Sequence, residues 1–85
     1  MRVVLTVIGK DKVGIIAGVS NTLAECNINI ININQNIMQG FFNMVLIGDM
    51  SEASVSLQDA KEKVHALGEK LGVEIRMQSE EIFTA

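Results

Sequence analysis

The sequence lacks the features that would mark a nucleic-acid-binding, membrane or disulfide-bonded protein. Seven Lys and Arg residues stand against ten Asp and Glu residues, a net charge of −3, so the basic surface of a nucleic-acid-binding protein is missing. The first apolar run, which ends at Ile8, is too short for a membrane span or a signal peptide. The single cysteine, Cys26, cannot form an internal disulfide, which fits a reducing compartment. We therefore expect a soluble, cytoplasmic protein without nucleic-acid or membrane partners.

Residues that commonly hold metals or carry catalysis are also scarce. The only histidine, His65, is far along the chain from Cys26, and one His with one Cys does not make a zinc site. We expect His65 on the surface and Cys26 in the core. A small acyl- or phosphoryl-hydrolase would need an arginine beside a glycine loop, but the loop here carries Lys10 and Lys12. The sequence therefore predicts no enzyme, no metal and no cofactor, with a hydrolase kept as a remote alternative.

What the sequence does contain is enough apolar residues for one small domain. The chain has 85 residues, of which 48% are hydrophobic, and this composition excludes a disordered chain. We predict a single domain over residues 1–85. At this size one core is marginal, and a second subunit often supplies the missing burial.

Six segments have the periodicity of strands or helices. The four predicted strands are Arg2–Ile8, Ile28–Met38, Phe41–Met50 and Val73–Gln78. The two predicted helices are Gly14–Cys26, with an apolar stripe at Ile16, Val19, Leu23 and Cys26, and Leu57–Leu71.

Three local signals mark where elements begin and end. Ser56 with Asp59 three residues on resembles a capping pair before the second helix, and Gly72 suits the left-handed position after that helix. Gln39-Gly40 is typical of a tight hairpin turn between the second and third strands.

The element order βαββαβ predicts the α+β class and a ferredoxin-like sandwich, in which two helices cover one face of a four-stranded antiparallel sheet. The first and third strands lie at the centre of that sheet. Val3, Leu5 and Val7 can face the helices, as can one of two sets in the third strand: Phe42, Met44 and Leu46, or Phe41, Val45 and Ile47.

The other face of these two strands is apolar as well, since Val4 and Ile8 point away from the helices. We infer that a second subunit covers that face or extends the sheet, which predicts a homodimer. An ordinary scatter of exposed apolar side chains is the alternative.

The segment Gly9–Asn29, GKDKVGIIAGVSNTLAECNIN, contains the polar groups of a small receptor. Gly14 opens the first helix, whose first N–H groups have no internal partner and can bind an anion. Asp11 precedes the helix and offers an acceptor to an ammonium or hydroxyl group. Asn29, fifteen residues after Gly14, can donate and accept. These groups suit a free α-amino acid, but Asp11 alternatively only caps the helix or stabilises the turn.

Asn32, Asn34 and Asn36 share one face of the second strand because side chains alternate there. They can bind a ligand or a partner strand, or they can form the solvated face of an edge strand.

The pattern of a strand, then DKVGIIA, a helix and NINI strongly resembles the ACT domain, a small ligand-binding module of amino-acid metabolism. The resemblance covers nearly the whole chain. It is greatest to free-standing single-domain members related to regulators of the glycine-cleavage system, whose second hairpin is similar to NQNIMQGFFNMVLIGDMS and whose tail is similar to QSEEIF.

The resemblance implies a regulatory domain that binds an amino acid at or near a dimer interface, often within an eight-stranded sheet. It implies ligand-binding roles for Asp11, Val13, Gly14, Ile15, Asn29 and Ile30. Val13 stands where many members have proline, and Gly9 where some serine-binding members have histidine, so the identity of the ligand is open. The alternative is an interaction module that binds a partner protein and no small molecule.

Overall fold

A computed structural model describes the backbone of residues 1–84 and the side chains of residues 1–82. The elements, in chain order, are β1 (Arg2–Lys10), α1 (Ile15–Glu25), β2 (Asn29–Met38), β3 (Phe41–Asp49), α2 (Leu57–Leu71), β4 (Val73–Ser79) and the short α3 (Glu81–Thr84). The predicted βαββαβ order is confirmed, with α3 added at its end. The prediction that all of residues 1–85 form one domain stays a prediction, and Ala85 lies outside the described residues.

The four strands form one antiparallel sheet in the order β2-β3-β1-β4. The central positions of β1 and β3 and the ferredoxin-like architecture are therefore confirmed. In the register, Arg2 lies opposite Asp49 and Lys10 lies opposite Phe41. The end of β1 thus lies beside the hairpin that joins β2 to β3, and its start lies beside the end of β3.

The core lies between the sheet and the two long helices. β1 contributes Val3, Leu5 and Val7 to it, as predicted, and α1 and α2 cover these residues with Val19, Leu23, Ala60 and Val64, among others. Of the two candidate sets in β3, the buried one is Phe42, Met44 and Leu46.

The predicted apolar stripe of α1 was wrong at one position. Ile15, not Ile16, packs in the core with Val19 and Leu23, whereas Ile16 is 40% exposed. The reason is the start of the helix: Gly14 has a φ of 97°, and the chain leaves this left-handed turn with Ile15 pointing inward. Burial then recurs every four residues.

The signals at the ends of α2 are confirmed. The Ser56 hydroxyl accepts a hydrogen bond from the Asp59 N–H at 3.1 Å, which satisfies one of the unpaired N–H groups of the first turn. Gly72 follows the helix with a φ of 74°. Cys26 is buried and His65 is exposed on α2, as the sequence predicted.

β2 is an edge strand that is exposed on both faces. Asn32, Asn34 and Asn36 pair in register with Ile47, Val45 and Asn43 of β3 and share the face away from the helices. On the opposite face Ile33 and Ile37 remain 38% and 53% exposed. The predicted hairpin turn has positive φ at both Gln39 (52°) and Gly40 (83°), as in a type I′ turn.

Candidate ligand-binding site

The loop from β1 into α1 leaves the start of α1 open. Gly14 adopts a φ of 97°, and no side chain caps the helix there. The first N–H groups of α1 therefore have neither an intrahelical acceptor nor a capping oxygen. This arrangement can accept an anion such as a carboxylate, and the dipole of an eleven-residue helix adds to the attraction.

Asp11 lies beside that helix start without capping it. Its backbone N–H donates to the Gly40 carbonyl at 2.9 Å, which ties the loop to the β2–β3 hairpin. Its side chain is exposed, and within the described part of the chain its carboxylate has neither a hydrogen bond nor an ion pair. The capping alternative for Asp11 is therefore not what the structure shows, and the carboxylate is accessible to a ligand.

Val13 and Ile15, on either side of Gly14, differ in what they can offer. Val13 is 100% exposed, whereas the Ile15 side chain is buried in the core. At Ile15 only the backbone can face a ligand, and Val13 offers an apolar side chain to whatever lies beside the loop.

Asn29 and Ile30 lie at the other end of α1, where β2 begins. Asn29 is exposed and pairs in register with Asp49, which in turn lies opposite Arg2 at the start of β1. Asp11, in contrast, follows the end of β1. The eleven residues of α1 separate the two groups, a distance of about 16 Å at 1.5 Å per residue. Within one chain they do not come together around one small molecule.

A cavity of about 550 Å³ opens beside Asn29. Its polar lining includes Asn27, Asp49, Ser51 and Glu52. The Asn27 side-chain amide donates to the Glu52 carbonyl at 2.7 Å, which closes one wall. This volume is in the range of small-molecule sites, and the start of α1 does not contribute to its lining.

Asp49 and Ser51 are residues of this cavity that the sequence reasoning missed. The Asp49 Oδ1 atom accepts from the Ser51 N–H at 2.9 Å and from its hydroxyl at 2.6 Å. These two bonds, with weaker help from the chain's N-terminal ammonium and Arg2, hold the pKa of Asp49 below its ordinary value although partial burial opposes the shift. The available signal was an Asp followed two residues later by Ser at the end of a strand, which is typical of such a turn.

The surface that joins the two groups is nearly free of charge. Between Lys12 and Asp49 the only charged residue is Glu25, and this segment comprises α1, β2 and most of β3. The exposed side of α1 carries Ile16, Ala17 and Ala24. An exposed, uncharged edge strand is a ready template for pairing with another chain.

Within the described residues, no group of three or more His, Cys, Asp or Glu side chains is placed to hold a metal ion. No helix found among them is both long and apolar enough to span a bilayer.

Comparison with known proteins defines the class of domain. Residues 1–78 match the ACT domain family. A UPF0237 protein of Listeria innocua is 53% identical over 85 residues, which cover 100% of this chain and 96% of that protein. A solved structure of an ACT domain protein from Streptococcus pneumoniae has a TM-score of 0.86 and 38% identity, and the match covers 100% of this chain and 96% of that one. The chain therefore belongs to the ACT domain family.

Two more distant structures share the fold alone. A putative glycine cleavage system transcriptional repressor has a TM-score of 0.80 at 19% identity. The match covers 91% of this chain and 44% of the repressor chain. The regulatory subunit of aspartate kinase from Thermus thermophilus has a TM-score of 0.70 at 24% identity. That match covers 91% of this chain and 50% of the regulatory subunit.

Proposed function

We propose that this ACT domain is a regulatory domain that binds a free amino acid at the interface of a homodimer. The observation that carries the proposal is the position of Asp11 and Asn29 at opposite ends of α1. Two copies related by a two-fold axis bring these unlike ends together. Two proteins of similar fold, a putative transcriptional repressor and a regulatory subunit of aspartate kinase, are named for regulatory roles that are consistent with this function.

A two-fold axis beside the β2 edge gives this geometry. Antiparallel pairing of the two β2 strands would place Asn29 of one copy near the hairpin of the other copy. Asp11 is joined to that hairpin through its 2.9 Å bond to Gly40. The two α1 helices would run antiparallel on the same face of an eight-stranded sheet, so each helix start would lie beside the end of the other helix.

The chemistry of such a composite site suits an amino acid. The uncapped N–H groups after Gly14 of one copy donate hydrogen bonds to the ligand carboxylate. Asp11 of the same copy accepts a hydrogen bond from the ligand, and Asn29 of the other copy donates and accepts. Ile15 contributes backbone, and Val13 and Ile30 contribute apolar surface. Each polar side chain is exposed in the single chain and becomes enclosed only in the dimer.

A thermal-shift screen with the twenty common amino acids tests this function. A ligand at ~100 times its Kd stabilises the native state by roughly 2.7 kcal/mol, so one or a few amino acids should raise the melting temperature clearly. The Asp11→Ala and Asn29→Ala variants should lose most of that shift. The control is Asp59→Ala, because Asp59 is also an exposed acid but lies on α2. The proposal fails if none of the amino acids stabilises the dimer.

An interaction module for a partner protein is the second candidate, and the nearly uncharged surface between Lys12 and Asp49 favours it. In that function the same surface binds another protein, and Asp11 and Asn29 have no small ligand. Affinity capture from a cell lysate that recovers only further copies of this chain would count against it.

A further inference from the structure

The cavity beside Asn29 has a polar lining of one charge sign. Its charged residues are Asp49 and Glu52, and it contains no lysine or arginine. Asn27 and Asn29 add amide oxygens and N–H groups. A cavity of about 550 Å³ with this lining suits a small ligand that carries a positive charge.

Hydrogen bonds from Ser51 orient the Asp49 carboxylate and occupy only one of its two oxygens. Both bonds from Ser51, at 2.9 and 2.6 Å, go to Oδ1. Among the described residues Oδ2 receives no hydrogen bond, and Asp49 forms no ion pair. Arg2, which lies opposite Asp49 in the sheet, and the chain's N-terminal ammonium favour the ionised form of Asp49 from nearby, but neither forms an ion pair with it among the described residues, and Arg2 pairs with Glu80 at 3.2 Å. An ionised carboxylate held in place with a free oxygen is a preformed acceptor for an N–H donor.

We propose that Asp49 binds the ammonium group of the amino acid, with the ligand seated in the cavity beside Asn29. This inference rests on the proposed function and adds to it a specificity rule. Charge-assisted hydrogen bonds from an ammonium group to Oδ2 require a protonated amine. Acylation of the amine leaves a single uncharged N–H donor, and replacement by a keto group leaves none, so both kinds of ligand lose the charge-assisted bond to Oδ2 and bind more weakly. The carboxylate of the same ligand then faces the partner copy's α1, and Asp11 remains for the ligand's side chain.

The Asp49→Asn variant tests the assignment with little disturbance of the fold. Asparagine keeps an Oδ1 that can accept both Ser51 bonds, and it removes the charge and the Oδ2 acceptor. The probes are the amino acid that stabilises the wild type most in the screen, its N-acetyl derivative and its 2-oxo counterpart, each titrated calorimetrically. Asp59→Asn, the same change on α2, is the matched control.

We expect the Kd of the amino acid to rise by about tenfold or more in Asp49→Asn and to stay within about twofold of wild type in Asp59→Asn. The N-acetyl and 2-oxo compounds should bind the wild type at least about tenfold more weakly than the amino acid. Unchanged affinity in Asp49→Asn, or tight binding of the N-acetyl compound, would overturn the assignment.

Ethanolamine, an amine without a carboxylate, separates this inference from the proposed function. It should shift the backbone amide resonances of Ser51 and Asn29 in the wild-type protein and not in Asp49→Asn. If no amino acid binds, the proposed function fails, but this shift at Ser51 would still support the ammonium pocket. A wild-type spectrum without any shift at Ser51 would refute the pocket whatever the amino-acid screen shows.

Discussion

Gly14 determines the shape of the loop that leads into α1. Its φ is 97°, and a Cβ built at this position would meet nothing within 4 Å. Glycine is therefore required by the backbone conformation, since space is available for a side chain. We expect Gly14→Ala to lower the free energy of unfolding by about 1–2 kcal/mol, or the melting temperature by about 4–8 °C per kcal/mol, measured by thermal denaturation.

Gly14→Asn provides the matched comparison. Asparagine tolerates positive φ better than alanine does, so this variant should be less destabilised although its side chain is larger. Wild-type stability of Gly14→Ala would refute the argument from backbone strain. A Gly14→Asn variant less stable than Gly14→Ala would mean that the size of the side chain, and not its tolerance of positive φ, determines the loss.

At the scale of the element, periodicity predicted most of the secondary structure. Both ends of α2 were predicted correctly because Ser56 and Gly72 satisfy known backbone requirements. The predicted apolar stripe of α1 began at Ile16, whereas the buried residue is Ile15. With two adjacent isoleucines, the apolar face of the helix can begin at either one. Only the left-handed turn at Gly14 decides between them.

The start of α2 provides a test of the same kind of signal. The Ser56→Ala variant loses the 3.1 Å bond from the Asp59 N–H, so this N–H is left to water. We expect a loss of about 1 kcal/mol in the free energy of unfolding, measured by urea denaturation with an unchanged m-value.

Ser54→Ala is a suitable control, because Ser54 is also exposed and its backbone N–H, which donates to the Cys26 carbonyl at 2.9 Å, is retained in the variant. It should be close to neutral. Equal effects of the two variants would mean that the loss arises from the loop as a whole and not from the helix cap.

At the scale of the whole molecule, the sequence predicted the polar groups of a site but not how they meet. Most of the fifteen residues from Gly14 to Asn29 belong to α1. This spacing therefore reflects the length of the helix, and Gly14 and Asn29 lie at its opposite ends. No local sequence pattern predicts how a second copy of the chain is arranged against the first. Likewise Asp49 became visible as a candidate only when the sheet register placed it opposite Asn29.

The dimer proposed here buries the edge of β2, and two lysine substitutions distinguish this edge from the outer face of the sheet. Ile33 lies on the helix side of β2 and is 38% exposed, whereas Val45 lies on the outer face of β3 and is 43% exposed. A lysine on an edge strand opposes pairing with another strand, because its charge would have to be desolvated in the interface. Light scattering at micromolar concentration should therefore give the wild type and Val45→Lys twice the chain mass of 9.2 kDa.

Ile33→Lys should instead give the mass of the single chain and should also lose the stabilisation by amino acids, since each proposed site needs residues from both copies. The reverse result, with a monomeric Val45→Lys and a dimeric Ile33→Lys, would move the interface to the outer face of the sheet. Asp11 and Asn29 would then have no two-fold relation that brings them to one ligand. A dimer that survives in Ile33→Lys and still responds to amino acids would contradict the shared site directly.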